Sequence, residues 1–293
     1  MRADSDCYLC GVQKAVTIMN EYHVEMDQQV TIIRDIFAEI AKTDPEASAP
    51  QLSATFMKIL SDVLKVDDFY YDAKEKYNAI LMEKAPQLRQ MVEQAKNPLK
   101  AAIQMAVTGN YIDFGALSDV NETQLKALLI DYQKVPIREA VLKAIRHDLD
   151  HAQKMVFITD NAGEVVLDKI FLEMVQKLYP LLEISVIIRG GAILNDVVIH
   201  DAEQVGLTQL FEVVENGTAI PGTELEEINL QSRQLIDAAD IIFAKGQGNF
   251  ETLCGCGLNV YYLFLCKCGL FTQRFGVDRF TAVVENDAFF KAE

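Results

Sequence analysis

The chain has 293 residues, half of them hydrophobic, enough for one large domain or two of ordinary size around a sizeable core. Its 27 Lys and Arg against 43 Asp and Glu leave a formal charge of −16, a field that repels nucleic acid and anionic membrane surfaces, so a phosphorylated ligand needs locally placed cations or metal. No run approaches the roughly 18 continuous apolar residues of a membrane span, and Met1 to Cys10 lacks a basic region followed by an apolar one; the expectation is a cytoplasmic protein without a membrane partner.

The first half reads as helices. Met26, Val30, Ile33, Phe37 and Ile40 recur at spacings of three and four, one apolar face of a helix. Pro50 to Leu64 has similar spacing, and residues 68–96 form a long charged stretch that Pro86 is expected to break or kink. Asn121 is placed to cap a helix reaching Asp131. Pro136 sits near the first turn of the next, whose apolar face is Ile137, Val141, Ile145 and Leu149. No strong strand signal precedes residue 153.

From there the pattern alternates. Strands are expected at 154–159, 184–189, 211–214, 241–244, 261–265 and 280–284, with helices over 164–178, 196–204 and 224–239. Strands alternating with helices imply βαβ units and a largely parallel sheet. The expected organisation is a helical part at 1–150 and an α/β part at 151–293, packed closely because no Gly/Ser linker separates them.

The chemistry concentrates after the strands. The run 154–159 ends on Asp160 and Asn161, then Gly163 and a helical pattern, which delivers a carboxylate and an amide to the sheet rim beside a helix N-terminus. Asp and Asn there also serve as ordinary caps. The next strand ends at Arg189 and is followed by Gly190, Gly191, then Asn195 and Asp196. Asp160, Asn161 and Asp196 can thus converge as three oxygen ligands for a hard divalent cation such as Mg²⁺ or Mn²⁺. Arg189 either helps with a phosphate or faces the other side of the sheet. After 241–243 comes Lys245-Gly246-Gln247-Gly248-Asn249-Phe250-Glu251, where Lys245 offers charge to a phosphate and Asn249 and Glu251 can read sugar hydroxyls; a plain glycine turn is the competing reading. Gly109-Asn110-Tyr111-Ile112-Asp113 reads as a helix-ending turn. There is no Walker loop, no Gly-x-Gly-x-x-Gly after a strand and no Gly-x-Ser-x-Gly elbow.

The cysteines come as Cys7-x-x-Cys10, Cys254-Gly-Cys256 and Cys266-Lys-Cys268. Free buried thiols are favoured over zinc, because Cys-x-Cys spacing is atypical of zinc ribbons or fingers. His147 and His151 can share a helix face, but His23, His147, His151 and His200 lack metalloprotease spacing.

Taken together, Thr-Asp-Asn-Ala-Gly-Glu, Arg-Gly-x-x-x-x-Asn-Asp, Lys-Gly-x-Gly-Asn-Phe-Glu and the upstream Gly-Asn-x-Ile-Asp resemble the metal-dependent damage-control phosphatases, formerly domain of unknown function eighty-nine. The N-terminal Cys-x-x-Cys resembles the compact, mostly prokaryotic branch. Gly191 departs from the pattern, where many relatives carry Pro. The resemblance implies an α-helical N-terminal domain and a three-layer, Rossmann-like α/β domain with a mostly parallel sheet. It implies phosphomonoester hydrolysis with Mn²⁺, Mg²⁺, Co²⁺ or Ni²⁺. It assigns Asp160, Asn161 and Asp196 to metal and catalysis, Gln247, Gly248, Asn249 and Glu251 to the substrate loop and Lys267 to a phosphate contact, with Asn110 and Asp113 as polar positions near the site; from their own placement Glu164, Arg189 and Lys245 are also expected to meet the substrate, a small phosphorylated metabolite. Whether a metal-bound water or an aspartate attacks stays open, as does homo-oligomerisation. The competing readings are a non-catalytic sugar-phosphate or nucleotide binder, and a zinc-stabilised interaction module that unit-stoichiometry zinc would reveal.

Overall fold

Helices α1 (Ser5–Glu21), α2 (Met26–Ile40) and α3 (Ala49–Leu64) enclose a core of their own around Ile18, Met19, Ile32, Ile36, Phe56 and Leu60 in the computed structural model, which describes residues 1–112, 127 and 129–290. The apolar face expected on α2 is turned outward in part: Met26, Val30 and Phe37 are 77%, 54% and 55% exposed, while Ile32 and Ile36 are buried. Apolar residues cover a wide arc of this helix, and the contacts with α1 and α3 select the Ile32/Ile36 stripe. Ser48 begins α3 with a capping box, its hydroxyl accepting from Gln51 N while Gln51 Oε1 accepts from Ser48 N.

α4 (Tyr71–Glu93) runs through Pro86 without a break. Pro86 and Met82, whose carbonyl loses its helical partner, both lie on the exposed side, where water can replace the missing bond. α5 (Pro98–Gly109) is capped by Asn97, and α6 (Glu139–His151) follows a short 3₁₀ turn, starting three residues after Pro136. Most of the helix expected at 121–131 lies outside the described residues.

The strands β1 (Lys154–Ile158), β2 (Glu183–Ile188), β3 (Glu212–Glu215), β4 (Ile241–Lys245), β5 (Val260–Leu265) and β6 (Ala282–Asn286) form one sheet in the order β3-β2-β1-β4-β5-β6. Neighbours from β3 to β5 pair parallel, and β6 closes the edge antiparallel to β5. Successive side chains along a strand point to opposite faces. Met155, Phe157, Val186, Ile188, Ile241 and Phe243 face one core, shared with α4, α5, α6 and α7 (Glu164–Leu178). Val156, Ile158, Ile187, Ile242 and Tyr262 face the other. Between the strands, α8 (Ile199–Gln204) packs with the first core, while α9 (Leu230–Ala238), α10 (Gly246–Leu253) and α11 (Gly269–Phe275) pack with the second. The result is three layers, helices on both faces of a buried, mostly parallel sheet. The helices before residue 150 divide between two cores: α1–α3 keep their own, and α4–α6 belong to the sheet. No described helix is long and apolar enough to cross a membrane.

Candidate active site

Strand order reverses between β1 and β4, and open α/β sheets take ligands in the crevice beyond the strand ends at such a point. Asp160 and Asn161 leave β1 into this crevice. The loop after β2 is tied to them backbone to backbone. Val197 N donates to Asp160 O at 2.8 Å, Ala162 N to Asn195 O at 2.8 Å, and Asn161 and Asp196 form an antiparallel bridge. The segments 160–162 and 195–197 are therefore zipped together, which brings Asp160, Asn161 and Asp196 side by side. It also explains why the helix expected from Asp196 starts only at Ile199.

Two amides hold the carboxylate of Asp160. Asn161 Nδ2 donates to Asp160 Oδ2 and to Glu164 Oε2, both at 2.7 Å. Asn110 Nδ2, at the C-terminal end of α5, donates to Asp160 Oδ2 at 3.0 Å and to both oxygens of Glu164. Asn110 Oδ1 accepts from Leu265 N at 3.0 Å, which pins the turn after α5 to the end of β5. With its nitrogen engaged by two carboxylates, Asn161 has its carbonyl oxygen left as a donor to a cation. From the other side comes Gly246, at φ +78°: a Cβ there would lie 2.0 Å from Asp160 Oδ2, so only glycine lets the start of α10 approach this closely.

Behind these groups lie two buried cations, and here the structure corrects several assignments. Lys245 does not present its ammonium to the crevice. It is fully buried, and Nζ donates to Glu164, to Asp168 and, at 2.8 Å, to Ala106 O. Strand parity explains it: Lys245 shares the face of Ile241 and Phe243, against α5 and α7. Arg189 goes to the opposite face, where Nε donates to Asp196 Oδ2 at 2.7 Å, Nη1 to Gly222 O at 2.7 Å and Nη2 to Asn249 Oδ1 at 3.1 Å. It orients Asp196 rather than reaching a phosphate. Asn249 donates to Thr159 O at 2.9 Å and Lys245 O at 2.6 Å and accepts from Arg189 and Thr223, so it ties strand ends together instead of reading a sugar. Glu164 is likewise buried, an acceptor for Lys245, Asn110 and Asn161.

Burial and the charge of Glu164 push the Asp168 carboxyl up, against the pull of the Lys245 ammonium; Asp168 Oδ2 is buried without a hydrogen-bond partner. Lys245 stays a cation because its two carboxylates outweigh the burial that opposes its charge. In the buried cluster Asp160, Glu164, Asp168 and Asp196 face Lys245 and Arg189, four acids against two bases. Counted as ionised, the cluster carries two excess negative charges, which one divalent cation would offset. Two carboxylates and an amide oxygen are the hard donors that Mg²⁺ or Mn²⁺ accept, with further oxygens from water or substrate. Among the described residues no three His, Cys, Asp or Glu side chains gather as a metal-binding group; a cation held by Asp160 and Asp196 would take its third protein oxygen from Asn161.

The remaining assignments fall at the rim. Gly246 to Leu253 is helical, so the glycine-rich turn is the opening of α10. Gln247 Oε1 accepts from Lys267 N, which sets the two side by side. Gly248 packs under Pro221, whose carbonyl oxygen would be 1.8 Å from an added Cβ. Glu251 is half-buried beside the amino terminus, its backbone oxygen accepting from Met1 N, and burial pushes its carboxyl up to about 7. Asp113 lies outside the described residues. The N-terminus of α7 is less available than the sequence suggests, because Gly163 N donates to Asn78 Oδ1 at 2.6 Å. All six thiols are free and only Cys266 is buried; His147 and His151 do share a face, exposed and with ring centroids 4.6 Å apart. A cavity of ≈ 590 Å³ opens beside the site, between α3 and the loops after β2 and β3, lined by Ala192, Ile193, Ala219 and Ile220 and by Asp44, Asp62 and Asp67. Its carboxylates make it unsuited to the phosphate end of a ligand.

Two participants escaped sequence reasoning. Asp168 had a signal: Glu164 and Asp168 stand four apart among Val165, Val166, Leu167, Ile170 and Phe171, so burial of that helix face needs a buried cation opposite. Asn78, in the polar stretch 68–96, had none.

Comparison with known proteins bears on the family and the fold. The sequence matches the family described as the damage-control phosphatase ARMT1-like domain over residues 3–283. A damage-control phosphatase of Pyrococcus horikoshii is 26% identical over 293 residues, 99% of each chain. One of Archaeoglobus fulgidus is 27% identical over 222 residues, 74% of this chain and 75% of that protein. An uncharacterized protein of Methanocaldococcus jannaschii is 27% identical over 282 residues, 93% and 91% of the two chains. The crystal structure of a DUF89 family protein from P. horikoshii superposes with a TM-score of 0.83 at 24% identity, covering 98% of this chain and 99% of that one, which establishes the likeness of fold.

Proposed function

The chain belongs to the damage-control phosphatase ARMT1-like family, and from that premise we propose that it is a divalent-metal-dependent phosphatase of small phosphomonoesters, sugar phosphates or damaged phosphometabolites. The observation that carries the reading is the zipped pair of loops, which sets Asp160 and Asp196 together with Asn161 at the switch point of the sheet. Two neighbouring carboxylates would repel a phosphate unless a cation lay between them. Asp160, Asn161 and Asp196 would hold that cation, which when bound supplies Lewis acidity at a phosphate oxygen.

The protein's own residues prepare the site. Asn110 and Asn161 donate to Asp160 and orient its carboxylate, and Arg189 does the same for Asp196. The first-turn N–H groups of α10, which have no partner within the helix, lie next to Asp160 and suit the phosphate oxygens. Lys267, whose backbone N–H bonds Gln247, would add the cation that Lys245 cannot. Burial of Asp160 and Asp196 lowers the local dielectric and strengthens each of these interactions.

The test is phosphate release from p-nitrophenyl phosphate and a panel of sugar phosphates, with Mn²⁺, Mg²⁺, Co²⁺ and Ni²⁺ in turn. Asp160→Ala and Asp196→Ala should each abolish metal-dependent release while retaining a cooperative thermal transition. Wild-type turnover by the double variant would remove the basis of the assignment.

A further inference from the structure

Resting on the metal-dependent reading above, we infer that Asn78, on α4, is a positioning residue that sets the separation of the two loops carrying Asp160–Asn161 and Asp196. Asn78 is completely buried, and its side-chain hydrogen bonds run from α4 to Gly163, just after Asn161, and to α8, just after Asp196. Its Oδ1 accepts from Gly163 N at 2.6 Å, two residues beyond Asn161. Its Nδ2 donates to Asp201 Oδ1 at 3.0 Å and Gln204 Oε1 at 2.6 Å, both on α8, the helix that follows Asp196. Asp201 in turn accepts from Val198 N at 3.0 Å through Oδ2, and the same oxygen receives the buried Lys74 ammonium at 2.9 Å.

The two loops are thus joined twice. At the crevice they are joined by the backbone zipper, and at the back by one amide that reaches both. A hydrogen-bonded hinge at one end leaves the carboxylates free to splay; a second tie closes the angle between them. Groups that hydrogen-bond a metal ligand orient it, and their loss typically weakens metal affinity or activity about 10–100-fold; Asn78 touches no ligand itself and acts through the backbone beyond Asn161 and the helix after Asp196, so its effect belongs at the low end, about 10-fold. A contact that merely stabilised the packing of α4 would lower the melting temperature without touching metal affinity.

Asn78→Asp separates these cases. It is nearly isosteric and still accepts from Gly163 N, but it sets a carboxylate against Asp201 and Gln204 in place of a donor. Calorimetric titration with Mn²⁺, without substrate, should show binding weakened by about 10-fold. Amide hydrogen exchange at Val198 should quicken, and kcat for p-nitrophenyl phosphate at saturating Mn²⁺ should fall more than KM changes. The swapped double variant Asn78→Asp/Asp201→Asn restores one donor facing one acceptor and should recover the Mn²⁺ affinity. If Asn78→Asp does not fold, Asn78→Ser, which shortens the contact without adding charge, takes its place with the same expectation. A variant that melts earlier yet binds Mn²⁺ and turns over like the wild type overturns the inference while leaving the phosphatase reading intact. So does a swapped variant that regains stability but not affinity. Wild-type protein that neither binds Mn²⁺ nor releases phosphate overturns both.

Discussion

Gly246→Ala should damage this protein in two separable ways. The backbone at Gly246 has φ +78°, where a non-glycine residue costs about 1–2 kcal/mol. The added Cβ would also lie 2.0 Å from Asp160 Oδ2, 2.2 Å from Cγ and 2.5 Å from Oδ1. Ordinary contact needs roughly 3.5 Å, so Asp160 must move by about 1.5 Å. That breaks its bonds from Asn161 at 2.7 Å and Asn110 at 3.0 Å, each a hydrogen bond to a charged group of about 1.5–3 kcal/mol. Allowing for partial relaxation, the expected destabilisation is on the order of 4 kcal/mol. Gly255 is the control: its φ is +83° and a Cβ there meets nothing within 4 Å, so Gly255→Ala should lose only the backbone part, about 1–2 kcal/mol. Urea unfolding of both variants measures the difference, and titration with Mn²⁺ measures whether the displaced Asp160 still binds. Equal destabilisation in the two variants, with Mn²⁺ affinity unchanged in Gly246→Ala, would refute the proposed contact between α10 and Asp160.

Lys245→Met leaves Glu164 and Asp168 without their buried counter-ion and should cost about 3–5 kcal/mol at neutral pH, less in acid where both can protonate; a raised KM at unchanged stability would return Lys245 to a phosphate-binding role. Lys267→Ala should raise KM for phosphate esters with kcat little changed, and saturation kinetics identical to the wild type would argue against its place at the rim. Burial raises the Glu251 carboxyl from its ordinary 4.5 to about 7, so the folded state holds a proton that the unfolded chain has released. That contribution is complete below pH 4.5 and lost as pH rises through about 7, a change on the order of 3 kcal/mol. Glu251→Gln should flatten the pH dependence of unfolding free energy over that window; an unaltered curve would show that Glu251 titrates elsewhere.

Much of the α/β part was legible because its signals are local. The apolar runs before Asp160 and Arg189 could only be buried strands, and α7 occupies Glu164–Leu178, the span its periodicity indicates. The face of α2 was not legible, because Met26, Val30, Ile32, Ile33, Ile36 and Phe37 satisfy more than one stripe and only α1 and α3 choose between them. The opposite fates of Lys245 and Arg189 were half legible. Parity along β4 and β2 sends them to opposite faces of the sheet, but which face holds the Glu164/Asp168 pair depends on where α7 packs.

By itself the amino-acid sequence determined where strands end and which oxygen-bearing side chains leave them. Backbone pleat, helical periodicity and turn chemistry act within a few residues, and they put Asp160, Asn161 and Asp196 at the same end of a parallel sheet. Only the tertiary structure decided that these ends meet. The strand order, the zipper between 160–162 and 195–197, the approach of Gly246 to Asp160 and the reach of Asn78 from α4 are contacts between segments far apart in the chain. No local preference encodes them; the burial of both sheet faces at once does.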